Sequence, residues 1–144
     1  MSKLLVRSAY LHEVPFHDVD AMGIVWHGHY AKYFELARCE LLDRIGFGYN
    51  AMAESDWLWP VVKMDIKFVR PAKFGQELEI VSTLKEWDLR LKIDYLIRDV
   101  KSGLRVTRGS TVQVAVSRET GAMNIPMPSK VQSIFQRYVD DLAV

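Results

Sequence analysis

The chain has 144 residues, of which 49% are hydrophobic and 26% charged, a composition typical of an ordinary globular domain. Basic and acidic residues nearly balance, 19 against 18, and no basic stretch is long enough to indicate nucleic-acid binding. The single cysteine, Cys39, excludes an intramolecular disulfide and fits a reducing compartment such as the cytoplasm. No apolar run has signal-peptide or membrane-spanning length, and no repeat or linker divides the chain. We therefore expect one cytoplasmic domain over residues 1–144, with no membrane span.

The first part of the chain predicts a strand and a long helix. Residues from about Leu4 to Phe16 mix β-branched, aromatic and polar types, which is typical of a strand. From Tyr30 to Ile45 the apolar residues recur at intervals of three and four, as on one face of a helix, and Gly46 is a typical residue for its end. Charged residues at helical spacing predict surface ion pairs among Glu35, Arg38, Glu40 and Arg44.

The second part of the chain predicts a sheet and a closing helix. Residues 62–68 alternate between apolar and charged, which predicts a strand with one buried face. Further strands are expected over 77–86, 89–98 and 104–116, giving an antiparallel meander, and a helix over 131–142. A long amphipathic helix followed by such strands predicts an α+β domain in which the sheet wraps the helix.

The segment between the first strand and the long helix concentrates ionisable residues. It reads HDVDAMGIVWHGHY from His17 to Tyr30. A helix that begins here has free backbone N–H groups near His27 and Gly28, which stabilise negative charge. Asp20 lies a few residues upstream, so a base or nucleophile and an oxyanion site come together. That combination is the minimum requirement for acyl transfer.

The stretch DVDAMGIVWHGHY, from Asp18 to Tyr30, has the pattern DxDxxGxVxxxxY ahead of a long helix. In this it resembles the signature of the 4-hydroxybenzoyl-CoA thioesterase family and its subgroup of bacterial acyl-CoA thioesterases. The resemblance continues more weakly through residues 61–80 and 119–126. It implies a hotdog fold, in which a sheet curls around the central helix and pairs with a second subunit. It also implies hydrolysis of acyl-CoA to free acid and CoA, with no metal and no other cofactor.

The resemblance further implies roles for single residues. The catalytic aspartate of the family falls on Asp20, as base or as nucleophile, and the histidine of the acyl-CoA subgroup falls on His27. We expect Trp26, Gly28 and Tyr30 to contact the substrate, and the helix start to polarise the thioester carbonyl. The implied partners are an acyl-CoA substrate and further copies of the chain, in a homodimer or homotetramer with active sites at subunit interfaces. An exposed edge strand gives a separate reason to expect such pairing.

The chain departs from the family pattern at Met22, where a small residue is usual, and at His29, where asparagine is frequent. Both departures concern the shape of the substrate more than the reaction. Some relatives hold the CoA phosphates with arginines that match no single position here. The candidates are Arg70, Arg90, Arg98, Arg105, Arg108 and Arg118.

Alternatives remain open for the site and for the activity. Asp18 and Asp20 are also typical capping residues of helices and turns. His17, His27 and His29 with an aspartate offer ligands for a metal, although the spacing of the histidines fits no standard signature. The rival activities are a hotdog hydratase or dehydratase of acyl thioesters, whose relatives carry a different arrangement of His and Glu or Asp, and a non-catalytic acyl-CoA-binding module, against which the presence of Asp20 argues.

Overall fold

The computed structural model describes residues 6–142, in which an antiparallel five-stranded sheet packs against one long helix. The elements in chain order are β1 (Val6–Glu13), α1 (Tyr30–Ile45), α2 (Tyr49–Glu54), β2 (Trp57–Leu58), β3 (Val61–Phe68), β4 (Glu77–Glu86), β5 (Leu91–Asp99), β6 (Arg105–Gln113), β7 (Ala115–Ser117), β8 (Met123–Asn124) and α3 (Ser129–Leu142). The predicted α+β class is confirmed. Within the described range, no helix has the length and apolar character needed to cross a bilayer.

Local sequence patterns correctly predicted the bounds of α1 and β4. Helix α1 spans the predicted residues and ends at Gly46, whose φ of 100° is left-handed and whose N–H donates to carbonyls of the last turn. Strand β4 also has its predicted bounds. The first strand ends earlier than predicted because a short 3-10 turn, Phe16–Asp18, follows it. Its predicted start at Leu4 lies outside the described residues.

The predicted meander is only partly correct. The strand order is β1-β4-β5-β6-β3, so β4, β5 and β6 form a meander, whereas β3 pairs with β6 at one edge. Residues 69–76, which follow β3, do not form a tight turn because other parts of the chain bind their backbone. The Val25 N–H donates to the Ala72 carbonyl at 2.8 Å, and the Gly75 N–H donates to the Val14 carbonyl at 2.9 Å. The segment therefore crosses to the far edge of the meander, next to the start of α1.

Close packing between α1 and the sheet depends on one glycine. The Phe34 ring stacks on Tyr95 of β5 with centroids 4.4 Å apart. A Cβ atom at Gly109 of β6 would lie 2.2 Å from the Asp65 carbonyl oxygen and 2.8 Å from the Phe34 ring. Only glycine therefore allows the helix to approach the sheet this closely. The buried apolar residues between the helix and the sheet include Ala37, Leu41, Leu78, Ile80, Ile93 and Ile97.

The apolar face predicted for residues 62–68 is not buried within one chain. Val62, Met64 and Phe68 are 52%, 39% and 52% exposed. The reason is geometric, because α1 packs mainly on β1 and β4, at the opposite edge of the sheet from β3. Among residues 6–142, no strand pairs with the outer edge of β3, and these apolar side chains remain uncovered.

The surface pairs predicted on α1 are half correct. Arg44 and Glu40 form an ion pair at 3.3 Å on the exposed side of the helix. Arg38, however, is buried and donates hydrogen bonds to the hydroxyls of Tyr49 and Tyr95. Spacing alone did not predict this, because the two phenols come from α2 and β5.

Candidate active site

Asp20 lies on a short hairpin between β1 and α1. Val19 and Val25 pair as an antiparallel bridge, and the Asp20 N–H donates to the Ile24 carbonyl at 2.9 Å. The turn closes through Gly23, whose φ of 78° favours glycine. The backbone around Asp20 is therefore held by hydrogen bonds on both sides of the turn.

The Asp20 side chain belongs both to this turn and to a cavity. Its Oδ1 accepts a hydrogen bond from the Met22 N–H at 2.9 Å, as the capping alternative predicted. No hydrogen bond to its Oδ2 is present within residues 6–142. Asp20 also lines a cavity of about 320 Å³ together with His27 and Tyr30. The structure thus brings together three of the five residues predicted for the site.

The remaining wall of this cavity is mostly apolar and comes from two stretches of chain. One stretch is the hairpin itself, and the other begins at Phe68, the last residue of β3, and runs to Pro71. The Phe68 ring stands 6.2 Å from the His27 ring and 5.6 Å from the Tyr30 ring, measured between centroids. The other wall residues are Met22, Ile24, Val25, Val69, Arg70 and Pro71.

The start of α1, beside this cavity, has free backbone donors. A 3-10 turn, His27–His29, leads into the helix and has no side-chain cap. Within the described part of the chain, the N–H groups of His27 and Gly28 donate to no carbonyl or side chain. Unpaired N–H groups at a helix start carry partial positive charge and can bind a developing oxyanion.

Trp26 and Gly28 lie beside the cavity rather than in its wall. The Trp26 indole covers Gly28, so that a Cβ atom at this position would meet the ring at 2.2 Å. The same indole stands 5.0 Å from the His27 ring and 5.4 Å from the His29 ring. Gly28 therefore lets the tryptophan fold over the helix start.

Tyr30 is the buried member of the cavity, with 3% of its surface exposed. Burial raises the pKa of its phenol. The hydroxyl therefore stays protonated at neutral pH, where it can donate a hydrogen bond.

Asp18 has a different role from the helix or turn cap considered above. Its carboxylate is fully buried and accepts hydrogen bonds from the Lys32 Nζ at 2.8 Å and the Tyr33 hydroxyl at 2.6 Å. Burial raises the pKa of Asp18, but these two hydrogen bonds and the positive charge of Lys32 lower it overall. Sequence reasoning missed both partners, because no local pattern links an aspartate to residues 14 and 15 positions ahead.

The metal alternative has no support in the geometry of these side chains. His17 and His29 approach Asp18 Oδ1 at 3.6 and 3.9 Å, but Lys32 and Tyr33 already bind the carboxylate. Across residues 6–142, no group of three or more histidines, cysteines and carboxylates is arranged to hold a metal ion.

Among the arginines considered for CoA phosphates, Arg70 lines the cavity, and its guanidinium donates to the Arg105 carbonyl at 3.0 Å. Arg90 pairs with Glu86 at 3.1 Å. Arg118 binds carbonyl oxygens at the end of α2, including that of Ser55 at 2.9 Å. Arg70 is thus the arginine best placed relative to the cavity.

Known proteins resemble this chain in sequence and in fold. A family model described as "Thioesterase-like superfamily" matches residues 14–135. The acyl-CoA thioesterase YbgC of Helicobacter pylori is 35% identical over 74 residues, which cover 51% of this chain and 53% of that protein. The chain thus spans about half the length of this curated relative.

Solved structures match over nearly the whole chain. The DHNA-CoA thioesterase of Staphylococcus aureus has a TM-score of 0.83 at 21% identity, covering 95% of this chain and 91% of that one. A 4-hydroxybenzoyl CoA thioesterase, in an aspartate-to-asparagine mutant complexed with 4-hydroxybenzoyl CoA, has a TM-score of 0.77 at 18% identity, covering 90% and 98%. The expected hotdog fold is confirmed.

Proposed function

Because the chain belongs to the thioesterase-like superfamily, we propose that it hydrolyses acyl-CoA thioesters to free acid and CoA. The observation that carries this proposal is the cavity in which Asp20 and His27 meet the uncapped start of α1. A carboxylate on one side of a carbonyl and oriented N–H donors on the other are what thioester hydrolysis requires.

In the proposed reaction, the thioester oxygen accepts a hydrogen bond from the N–H of His27 or Gly28, which makes the carbonyl carbon electrophilic. Asp20 then acts in one of two ways. As a base, it takes a proton from a water molecule that adds to the carbon. As a nucleophile, it attacks the carbon and forms a mixed anhydride, which water then hydrolyses. In both routes the carbon–sulfur bond breaks and the thiolate leaves.

His27 is proposed to assist at the leaving group or the water. Its ring lines the same cavity as Asp20, so it can orient the water or hydrogen-bond the departing sulfur. The apolar walls around Ile24, Val25 and Phe68 favour an apolar acyl group.

We also propose that the active form is a homo-oligomer that pairs along β3. Support comes from the unpaired edge of this strand and from its exposed Val62, Met64 and Phe68. Phe68 also lines the cavity, so a second copy covering this strand would complete the wall of the site. The family resemblance implies pairing with a second subunit and active sites at subunit interfaces, without naming the strand.

The test of the activity is thiol release from a panel of acyl-CoAs by the wild type and by Asp20→Asn. Asparagine keeps an acceptor for the Met22 N–H but can act neither as base nor as nucleophile, so kcat should fall by about 10²–10⁴-fold. Asp140→Asn makes the same change on α3, away from the cavity, and should keep wild-type kcat. Full activity of Asp20→Asn would refute this mechanism. Loss of enoyl-thioester absorbance without thiol release would instead indicate a hydratase.

The assembly is tested with Met64→Lys, which places a charge on the exposed face of β3. We expect light scattering to show a multimer for the wild type and a monomer with little thiol release for the variant. Leu89→Lys is the matched control, because Leu89 is 52% exposed in the β4–β5 turn, and it should remain multimeric. A monomeric and fully active wild type would contradict the proposal.

A further inference from the structure

A second carboxylate lies close to the site and is used by neither proposed route. Asp18 is 0% exposed, and its two oxygens are bound by Lys32 and Tyr33 in the first turn of α1. A buried ionised carboxylate is costly unless it is paired and hydrogen-bonded. Its two partners explain why it is tolerated here, but not why the chain places it at this position.

Asp18 also forms the base of the hairpin that carries Asp20. Its carbonyl oxygen accepts a hydrogen bond from the Trp26 N–H at 3.0 Å, and the next residue, Val19, pairs with Val25. Through its side chain the same residue is fixed to α1. Asp18 therefore binds both the hairpin and the first turn of the helix.

The relative position of these two parts determines the geometry of the proposed reaction. One part carries the Asp20 carboxylate, and the other carries the N–H groups of His27 and Gly28. The reacting groups of an enzyme must lie about 3–3.5 Å apart in the productive complex, and a displacement of about 1 Å can cost about 10²-fold in rate. A bond that holds one part against the other therefore acts on kcat.

We propose that Asp18 is a positioning residue, which holds the Asp20 hairpin against the start of α1 through its hydrogen bonds to Lys32 and Tyr33. This inference rests on the proposed thioester hydrolysis. It assigns to the first aspartate of the motif a role distinct from that of the second.

The hydrogen bond between Tyr33 and Asp18 offers a conservative way to weaken this link. Tyr33 is fully buried, and its ring packs 4.5 Å from that of His12 and 5.7 Å from that of Tyr30. Tyr33→Phe keeps the ring in place and removes only the hydroxyl. Asp18→Asn keeps the shape of the side chain and removes the charge.

The experiment compares wild type, Asp18→Asn, Tyr33→Phe and the double variant by thiol release from an acyl-CoA that the wild type hydrolyses. Assays are run at a temperature at which thermal unfolding shows every variant folded. We expect Asp18→Asn to lower kcat by about 10²-fold with KM changed less than about threefold, and Tyr33→Phe to lower kcat less. The double variant should be no slower than Asp18→Asn, because both changes break one link. Glu40→Gln, on the exposed side of α1, should keep wild-type kcat.

A purely structural role for Asp18 would lower the melting temperature and leave kcat of the folded protein unchanged, and that result would overturn the inference. A double variant whose kcat falls by the product of the two single effects would overturn it as well. If Asp18→Asn does not fold, Tyr33→Phe alone decides, since an unchanged kcat of this variant contradicts the role. Absence of thiol release by the wild type refutes the proposed function itself. If Asp20→Asn abolishes thiol release and Asp18→Asn does not lower it, only the role of Asp18 is refuted.

Discussion

Gly109→Ala tests whether the approach of α1 to the sheet sets the stability of the fold. The added methyl carbon would lie 2.2 Å from the Asp65 carbonyl oxygen and 2.8 and 3.0 Å from two atoms of the Phe34 ring. A carbon–oxygen contact is normally about 3.3 Å or longer. The added methyl carbon and the Asp65 oxygen must therefore move apart by about 1 Å. The carbonyl belongs to the neighbouring strand β3, and the ring lies between the helix and Tyr95. Neither can move far without loss of ladder bonds or stacking. Overpacking in cores costs about 1–3 kcal/mol, occasionally more, and we expect the upper end.

Urea unfolding of wild type, Gly109→Ala and Ser110→Ala measures this cost. Ser110 is the next residue of β6, and its hydroxyl makes only a long contact of 3.4 Å with Asp65. The control should therefore stay within about 0.5 kcal/mol of the wild type. For Gly109→Ala we expect a loss of about 3 kcal/mol, or roughly 10 °C in melting temperature for a chain of this length. A Gly109→Ala protein as stable as the control would refute the packing argument.

Two further predictions concern the segment around the site. Gly28→Ala should displace the Trp26 indole and lower kcat at least about tenfold, while stability changes little, because this ring is 48% exposed and can swing away. The double variant Trp26→Ala/Gly28→Ala should then have nearly the same kcat as Trp26→Ala alone. A kcat lowered further by the factor that Gly28→Ala causes in the wild type would contradict the steric explanation. Asp18 should make the free energy of unfolding depend on pH, because its pKa is lower in the folded protein than its ordinary value of 3.8. The ionised carboxylate therefore stabilises the fold above pH 3.8, and this stabilisation is lost as the pH falls below that value. Urea unfolding near neutral pH and below pH 3.8 should show that the difference in free energy of unfolding between the wild type and Asp18→Asn shrinks on acidification. A difference that stays constant would argue against an ionised Asp18.

Local patterns predicted those parts of the fold whose determinants are themselves local. The apolar stripe of residues 30–45 and the glycine after it lie within a few turns of each other, so both the helix and its end could be read from them. The position of β3 could not, because it depends on the hydrogen bonds of residues 69–76 to Val14 and Val25. Alternation showed that β3 has an apolar face, but not whether this chain or another covers it.

The candidate site shows the same division. The pattern around Asp20 and His27 was visible as a motif, and these two residues line one cavity with Tyr30. Phe68 and Arg70, which also line this cavity, come from more than 40 residues after Asp20 and His27, and no pattern in the first segment points to them. The burial of Asp18 was equally hidden, because only the packing of α1 brings Lys32 and Tyr33 against it.

The pairing of β3 with β6 has a consequence for synthesis on the ribosome. The wall residue Phe68 is placed by a strand whose ladder partner, Arg105–Gln113, emerges some 40 residues later. The motif residues therefore emerge from the ribosome early. The facing side of the cavity, which includes Phe68, is not in place until most of the chain has left the exit tunnel. A nascent chain stalled before β6 should consequently be unable to turn over substrate, even though every ionisable group of the motif has already been translated.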